Sequence, residues 1–261
     1  MVSMDEMAVG RRQLEIAMVS RSLAIAVVCL SSAASLSVAE AEPRGVIELF
    51  TSQGCSSCPP ADKLVGEFAL DPSLISISLP IDYWDYLGWK DTLADPRNTA
   101  RQKAYSKVRG DREVYTPQVV VNGSVHALGS DRSAIEQAIL KSHQSKTTLS
   151  LPVTLSVADG RLTVSVPSGG ETRSEAEVWI CGVTKAVTVA IKRGENQGKT
   201  ITYHNVARHW IKLDAWNGKE RTWTVPVRDI GDGVDGAAVM VQNGTVEKPN
   251  AMLGAAFASL H

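Results

Sequence analysis

The chain has 261 residues, four of them cysteines, and its 27 basic and 28 acidic residues leave a formal net charge of −1. Without a surplus of positive charge, the sequence gives no sign of a nucleic-acid-binding protein. Four cysteines are also too few for a fold that depends on a framework of disulfides.

The N-terminal region has the pattern of a secretory signal peptide. Positions 22–38 carry apolar and small residues without a charge, Arg21 stands just before them, and Ala39 and Ala41 provide small residues for cleavage. The run is too short, and has the wrong flanks, for a membrane-spanning helix. We therefore predict a signal peptide over residues 1–41.

The start of this segment has a second interpretation. Met18 can itself begin a conventional signal, so residues 1–17 are alternatively a mis-called leader. In either case the mature chain of about 220 residues is long enough for one large or two ordinary domains. It is expected to be periplasmic or secreted and to have no membrane span.

Residues 44–146 alternate between short apolar runs and helical stretches. The predicted strands cover Val46–Phe50, Leu74–Leu79 and Val119–Val121, and the predicted helices cover Ser57–Leu70, Asp95–Val108 and Ser133–His143. Asn122-Gly123, after the third strand, is a strong signal for a two-residue β-hairpin turn. The order β-α-β-α-β-β-α predicts an α/β domain over residues 44–146.

From residue 147 the pattern becomes all-β. Short apolar runs are separated by turn residues such as Asp159-Gly160 and Asn217-Gly218. The predicted strands are Leu151–Val157, Arg161–Val166, Glu177–Val183, Ala186–Lys192, Thr200–Leu213, Arg221–Val227, Ala237–Gln242 and Met252–Ala258. Their number and spacing predict a β-sandwich or jelly roll over residues 147–261.

Two cysteines separated by two serines stand between the first predicted strand and the first predicted helix. This position places the sulfur atoms of Cys55 and Cys58 at a helix N-terminus, where unpaired backbone N–H groups and the helix dipole favour a thiolate. In such settings the pKa of a cysteine falls from about 8.5 to roughly 3.5–7.5, and the thiolate is the reactive form. The motif therefore predicts a redox-active dithiol.

A proline at the head of a buried strand is a second signal. Thr116-Pro117 precedes the strand that begins at Val119. A buried strand tolerates proline at its first residue or at a special peptide bond. X–Pro bonds adopt the cis form at a cost of about 0.5–1 kcal/mol, far less than other peptide bonds.

With Cys55-Ser56-Ser57-Cys58 after a strand and Thr116-Pro117 before a hairpin, residues 44–146 resemble the thioredoxin superfamily. The resemblance implies that Pro117 is cis and packs against the cysteines, and that Thr116 offers backbone groups to a bound peptide. It also implies that Cys55 is the exposed nucleophile and that Cys58 is the resolving thiol.

Glu48 lies inside the otherwise apolar first strand, where a buried carboxylate is costly unless it is paired or neutral. Thioredoxins hold an acid in the equivalent strand, so the resemblance implies that Glu48 relays a proton to Cys58. The alternative is a solvated glutamate at the sheet edge, and the sequence leaves both interpretations open.

The mature chain as a whole also resembles a family of exported bacterial proteins of unknown function. The segments that carry this likeness are residues 48–62 with the cysteines, residues 83–89 with their aromatic side chains, and Arg193-Gly194-Glu195-Asn196. The likeness covers residues 45–258. It implies a thioredoxin-like domain followed by a β domain, without a settled activity.

The segment 82–91 is too aromatic for an ordinary loop, and it leaves the second strand on the side where the cysteines are expected. Clustered exposed aromatic side chains mark binding surfaces, so Tyr83, Trp84 and Trp89 are predicted to bind substrate. They would supply the hydrophobic platform missing at Gly54, where thioredoxins usually have tryptophan. The alternative is that they pack between the two predicted domains.

Together these features predict an exported thiol–disulfide oxidoreductase that acts on protein thiols and disulfides, needs a separate redox partner and uses no cofactor. Two alternatives stay open. The cysteines can bind copper or zinc in a metal carrier, with His126 as the best additional ligand, or the chain can be a non-catalytic interaction module. Cys181, on an apolar strand, is expected to be a buried free thiol.

Overall fold

The computed structural model describes residues 42–169 and 175–260. The predicted signal peptide, residues 1–41, lies outside the described residues. Within them the chain forms three α-helices, which are α1 (Pro59–Phe68), α2 (Pro96–Arg109) and α3 (Arg132–Ser142). No helix in this part of the chain is both long and apolar enough to span a lipid bilayer.

Eleven strands accompany these helices in the described residues. They are β1 (Gly45–Thr51), β2 (Leu74–Pro80), β3 (Gln118–Val121), β4 (Val125–Leu128), β5 (Thr154–Ala158), β6 (Arg161–Val166), β7 (Ala176–Ala190), β8 (Thr200–Trp216), β9 (Arg221–Pro226), β10 (Gly236–Thr245) and β11 (Lys248–Ser259). The element order predicted for residues 44–146 is thus confirmed.

Local chemistry accounts for the ends of these elements. Pro59 and Pro60 open α1, where a missing backbone N–H does no harm. Asp131 caps α3 by accepting a hydrogen bond from the backbone N–H of Ala134 at 2.9 Å. Asn122 and Gly123 both have positive φ, 50° and 70°, as the predicted hairpin turn between β3 and β4 requires.

The second half of the chain does not form a separate domain. Its strands β7, β8, β10 and β11 join those of the first half in one eight-stranded sheet of the described residues, in the order β11-β10-β7-β8-β2-β1-β3-β4. The predicted fold class, an α/β thioredoxin-like domain plus an all-β sandwich or jelly-roll domain, is therefore wrong.

Pairing of β2 with β8 joins the two halves. The strands are parallel where Ser78 meets Val206, Ser78 Oγ donates to the carbonyl of His204 at 2.8 Å, and Asn205 Nδ2 donates to the carbonyl of Ser76 at 3.0 Å. Without β8, the outer edge of β2 would present unpaired backbone groups. Ser78 and His204 are 126 positions apart, and no local sequence period encodes such a pairing.

The strands of the second half either belong to this sheet or form a small second sheet that packs against it. The two strands predicted at 177–183 and 186–192 are one long strand, β7, which pairs with β8 along most of its length. Strands β5, β6 and β9 form a small separate sheet. Its buried side chains share a core with β7 and β10, in which Trp216 is the largest fully buried residue.

Strand β1 lies between two further cores. Its side chains alternate, so Ile47 and Leu49 pack against α1. Val46 and Phe50 point to the opposite face and pack with Tyr105 of α2. This alternation decides which side chains of β1 face the cysteines.

Candidate functional site

Cys55 and Cys58 form a disulfide between the end of β1 and the start of α1, with their Cα atoms 5.4 Å apart. Cys58 is the N-cap residue of α1. Its carbonyl accepts the backbone N–H groups of Ala61 and Asp62, at 2.8 and 3.1 Å. The predicted position of the sulfur atoms at a helix N-terminus is confirmed.

The disulfide lies just below the surface. Cys55 is 1% exposed and Cys58 is 0% exposed, whereas Ser56 and Ser57 between them are exposed. The Ser57 hydroxyl lies 3.4 Å from the Cys55 sulfur. The prediction that Cys55 is exposed is therefore wrong, because both sulfur atoms lie beneath a cover of neighbouring residues.

The Thr116–Pro117 turn forms one side of this cover. Its peptide bond is cis, as predicted. The Ser57 hydroxyl donates to the carbonyl of Thr116 at 3.4 Å, which places the turn beside the cysteine loop. Ser57 and Thr116 are 59 positions apart in the chain, so the sequence predicted correctly that two distant motifs meet in space.

The aromatic segment forms a second side of the cover. Trp84 Nε1 donates to Thr116 Oγ1, and Trp89 Nε1 donates to Gln53 Oε1, both at 2.8 Å. A Cβ atom on Gly54 would lie 3.0 Å from Cβ of Trp84, so glycine at this position allows the tryptophan to approach. The third predicted residue, Tyr83, instead donates to Gln102 on α2 at 3.2 Å.

The loop between β7 and β8 forms the third side. Its residue Asn196 is 0% exposed, and its Nδ2 donates to the carbonyls of Gln53 and Cys55 at 3.0 and 2.8 Å. Asn196 Oδ1 accepts a hydrogen bond from Lys199 at 2.8 Å, which fixes the orientation of the amide. The sequence marked residues 193–196 as part of the family likeness, but it did not predict that Asn196 contacts the cysteine loop.

Glu48 lies on the face of β1 opposite α1. Its carboxylate accepts hydrogen bonds from Arg101 Nε and the Tyr105 hydroxyl, both at 2.6 Å, and its side chain is fully buried. Because both oxygens are occupied and the sheet separates them from α1, Glu48 has no direct route to Cys58 for the predicted proton relay.

A different carboxyl group lies on the cysteine side. Asp62 follows Cys58 by one helical turn, which places both side chains on the same side of α1. Its Oδ1 accepts a hydrogen bond from Thr51 Oγ1 at 2.6 Å, and Oδ2 has no hydrogen-bond partner among the described residues. Burial, against the lowering effect of the Thr51 hydrogen bond and with a smaller contribution from the charge of Asp91, raises the pKa of Asp62 to about 8. The four-residue spacing was the available signal, and sequence reasoning overlooked it.

Other polar groups share the interior around Asp62. Asp91 accepts the backbone N–H of Gln53 at 2.7 Å, and burial raises the pKa of Asp91 to about 6. The hydroxyl of Tyr203 on β8 has no hydrogen-bond partner among the described residues. Burial raises the pKa of Tyr203, and the charges of Asp62 and Asp91 add to the effect. Burial thus raises the pKa of Asp62, Asp91 and Tyr203 alike.

A comparison with models of known protein families gives a match that includes these residues. A family model described as "Protein of unknown function (DUF1223)" matches residues 46–242. The chain belongs to the DUF1223 family. The matched region includes Cys55, Cys58, Asp62, Thr116 and Asn196, so every side of the cover lies within it. No curated protein matched the sequence.

Two solved structures are similar to this DUF1223 chain. One is the crystal structure of protein AGR_C_4864 from Agrobacterium tumefaciens, whose sequence is 30% identical to this chain. The match covers 85% of this chain and 96% of that protein, with a TM-score of 0.74. HBP35 of Porphyromonas gingivalis is 14% identical, covers 84% of this chain and 76% of its own, and has a TM-score of 0.61. At that identity, the second likeness concerns the fold alone.

The alternative metal ligand, His126, contacts side chains other than the cysteines. His126 Nδ1 lies 3.0 Å from the Tyr115 hydroxyl, and its Nε2 lies 3.4 Å from Asp111. In the described part of this DUF1223 protein, no group of three or more His, Cys, Asp or Glu side chains is arranged to hold a metal ion. Cys181 is a buried free thiol, as predicted, and burial raises its pKa to about 12.

Proposed function

We propose that this DUF1223 protein is an exported thiol–disulfide oxidoreductase that exchanges disulfides with partner proteins. The observation that carries the proposal is the Cys55–Cys58 disulfide at the N-terminus of α1, next to the Thr116–Pro117 turn and one helical turn from the buried Asp62. A helix N-terminus favours the thiolate, and a carboxyl group with a pKa near 8 accepts and returns protons at neutral pH.

The proposed reaction begins with the reduced protein. The Cys55 thiolate attacks one sulfur of a partner disulfide, whose S–S bond breaks as a mixed disulfide forms and one partner thiolate leaves. Cys58 then loses its proton to Asp62 and attacks the Cys55 sulfur. The second partner thiolate leaves and the Cys55–Cys58 bond closes. The protein is thereby oxidised by two electrons and the partner disulfide is reduced.

Oxidation of a partner dithiol is the same sequence in reverse. A separate redox partner resets the cysteine pair in either direction, and no bound cofactor takes part in the exchange. The cover formed by Trp84, the Thr116–Pro117 turn and the β7–β8 loop must open for each encounter. Glu195 of the β7–β8 loop is exposed and accepts a hydrogen bond from the backbone N–H of Ser56 at 3.3 Å. Opening of the cover can begin at this long, exposed hydrogen bond.

Trapping the mixed disulfide tests this proposal. The reduced Cys58→Ser protein is incubated with oxidised glutathione and with a disulfide-bonded peptide, and adducts are identified by mass spectrometry. We expect stable adducts on Cys55, because the thiol that resolves them is absent. The Cys55→Ser variant is the matched control and should accumulate far less adduct. Equal, negligible adduct formation in both variants would overturn the redox proposal.

Export is a separate part of the proposal and has its own test. Expressed in a bacterium with its full N-terminus, the protein should fractionate with the periplasm or the medium. N-terminal sequencing should then find Glu40 or Glu42 as the first residue, after cleavage at Ala39 or Ala41. A cytoplasmic protein that keeps residues 1–41 would contradict export without affecting the proposed chemistry.

A further inference from the structure

A cleft of about 700 Å³ lies between α2 and the large sheet, among residues that the proposed redox reaction does not use. Ala100 and Ala104 form its helix wall, and Trp179 of β7 and Trp210 of β8 form its sheet wall. Val246, which is 42% exposed, lines it near the β10–β11 turn. Its volume falls within the range of small-molecule sites, roughly 300–1,000 Å³.

Small side chains keep the cleft open. Ala100 and Ala104 are one helical turn apart on the same face of α2. Ala100 is exposed and Ala104 is half-buried. Trp179 and Trp210 are also half-buried. A flat or flexible apolar body placed here would cover two indole rings and the alanine face, and its burial would favour binding.

Arg101 supplies a fixed positive charge in the wall of the cleft. Its side chain is 10% exposed and is bound by Glu48, and its guanidinium carbon lies 5.4 Å from the ring centre of Trp210. Nε and Nη2 donate to Glu48, Tyr105 and Gln242. Nη1 makes no hydrogen bond with another described residue, so one donor group of a nearly buried cation stays available.

Two lysines add charge that is not neutralised. The ion pairs that α2 makes with other described residues involve Arg97, Arg101 and Arg109. Lys103 and Lys107 line the same cleft and are exposed, without an ion-pair partner in this part of the chain. They are four residues apart and therefore project from the same face of α2.

We propose that this cleft binds a small amphipathic anion, a molecule with a carboxylate or sulfonate group on an apolar body. The body would lie between the alanine face and the two tryptophans, and the anion would lie near Lys103, Lys107 and Nη1 of Arg101. The charge of the lining residues supports this class. Glu48 and Asp95 pair with Arg101 and Arg97, and the two lysines outnumber Glu247, the single carboxylate among the described residues that line the cleft.

Fluorescence titration of the purified full chain with anilinonaphthalene sulfonate tests the proposal, with uncharged N-phenylnaphthylamine as the neutral probe. We expect one saturable site per chain for the anionic probe. The Lys103→Gln/Lys107→Gln variant should weaken its binding at least tenfold and leave binding of the neutral probe within twofold. Ala104→Phe, which fills the cleft, should weaken both probes at least tenfold.

The Lys63→Gln/Lys141→Gln variant is the matched control, because these exposed lysines lie on α1 and α3 and their loss should leave both affinities within twofold. Melting temperatures show whether each variant is folded. If Ala104→Phe does not fold, the two pairs of exposed lysines still test the proposal. Equal weakening by both lysine pairs, or non-saturable binding of the anionic probe, would overturn the proposal, as would an unchanged affinity in folded Ala104→Phe.

Discussion

Two buried carboxyl groups, Glu48 of β1 and Asp62 of α1, lie on opposite sides of β1 and differ in their hydrogen-bond partners. Glu48 faces α2, where Arg101 and Tyr105 bind both of its oxygens. Asp62 faces the cysteine side, where Thr51 binds one oxygen and the other has no partner among the described residues. Glu48 is a satisfied buried ion, which indicates a structural role. Asp62 is a buried acid whose pKa burial raises to about 8, and perturbed pKa values of this kind cluster at functional sites.

The contrast also explains why the sequence pointed to Glu48. A glutamate within an apolar strand is conspicuous, whereas an aspartate in the first turn of a helix is common because it favours the positive end of the dipole. Burial and partners, rather than residue type, separate the two roles. Variants at three positions test this separation and the cover beside it.

Arg101→Met should produce the largest effect. Removing the cation leaves the carboxylate of Glu48 buried without its partner, and breaking a buried pair costs about 3–5 kcal/mol. We expect a loss of this size in the free energy of unfolding, measured by urea denaturation.

The matched control is Arg97→Met on the same helix. Its pair with Asp95 is exposed to solvent, with the Arg97 side chain 55% exposed, so the loss should stay below about 1 kcal/mol. Similar losses in the two variants would show that Glu48 and Arg101 are not a critical buried pair.

Asp62→Asn should change the pH dependence of stability. The pKa of Asp62 is about 8 in the folded protein, against a reference value of 3.8. Between these values the unfolded chain is ionised while the folded chain keeps its proton, so the wild-type protein loses stability as pH rises from about 4 to 8. One pH unit is worth about 1.4 kcal/mol, so from pH 5 to pH 7 the loss due to Asp62 is about 3 kcal/mol.

Urea denaturation at several pH values measures this effect. The Asp62→Asn protein lacks the ionisable group and should lose less stability over the same range, which makes it more stable than wild type at pH 7. Asp159→Asn changes an exposed aspartate of the β5–β6 turn and should keep the wild-type slope. Parallel slopes for wild type and Asp62→Asn would contradict a raised pKa.

The same variant tests the proposed reaction. Asparagine cannot accept the proton of Cys58, and a general base contributes at least about 100-fold. With a pKa near 8, about one tenth of Asp62 is ionised at pH 7, so a net slowing of about tenfold is expected. Acid-quench mass spectrometry follows the disappearance of the mixed disulfide.

Formation of the mixed disulfide provides the internal control, because Cys55 attacks before Asp62 acts. Its rate, measured in the Cys58→Ser background, should stay within twofold when Asp62 is changed. Equal resolution rates in the wild-type and Asp62→Asn proteins would remove Asp62 from the mechanism and leave the role of the cysteines intact.

Local signals in the sequence were sufficient for most of the elements and for part of the site. Proline at the start of α1, the cap at Asp131 and the Asn122-Gly123 turn act over a few residues, and the turn is present as predicted. The cysteine loop and the Thr116–Pro117 turn were also matched correctly. The first three features follow from local residue chemistry, whereas the meeting of the cysteine loop and the Thr116–Pro117 turn was implied by the resemblance to the thioredoxin superfamily.

The errors arose where distant segments meet. Pairing of β2 with β8 depends on a free strand edge, and the sequence of β2, which is buried along its whole length, does not show which strand lies beside it. The same limit applies to Glu48, because alternation puts it on the same face as Phe50 without showing which face carries α1. The contact of Asn196 with the cysteine loop spans 141 positions and follows from the same long-range pairing.

Asn196→Ala should give the smallest effect and tests the cover itself. Without the amide, the carbonyls of Gln53 and Cys55 lose their donor, at a cost of about 1 kcal/mol in stability. The β7–β8 loop then holds the cysteine loop less firmly, so reduction of the Cys55–Cys58 disulfide by dithiothreitol should be severalfold faster. Asn217→Ala, in the exposed β8–β9 turn, is the control and should leave the reduction rate unchanged. An unchanged rate in Asn196→Ala would show that opening of the cover does not depend on this loop, and that Trp84 and the Thr116–Pro117 turn control access to the sulfur atoms.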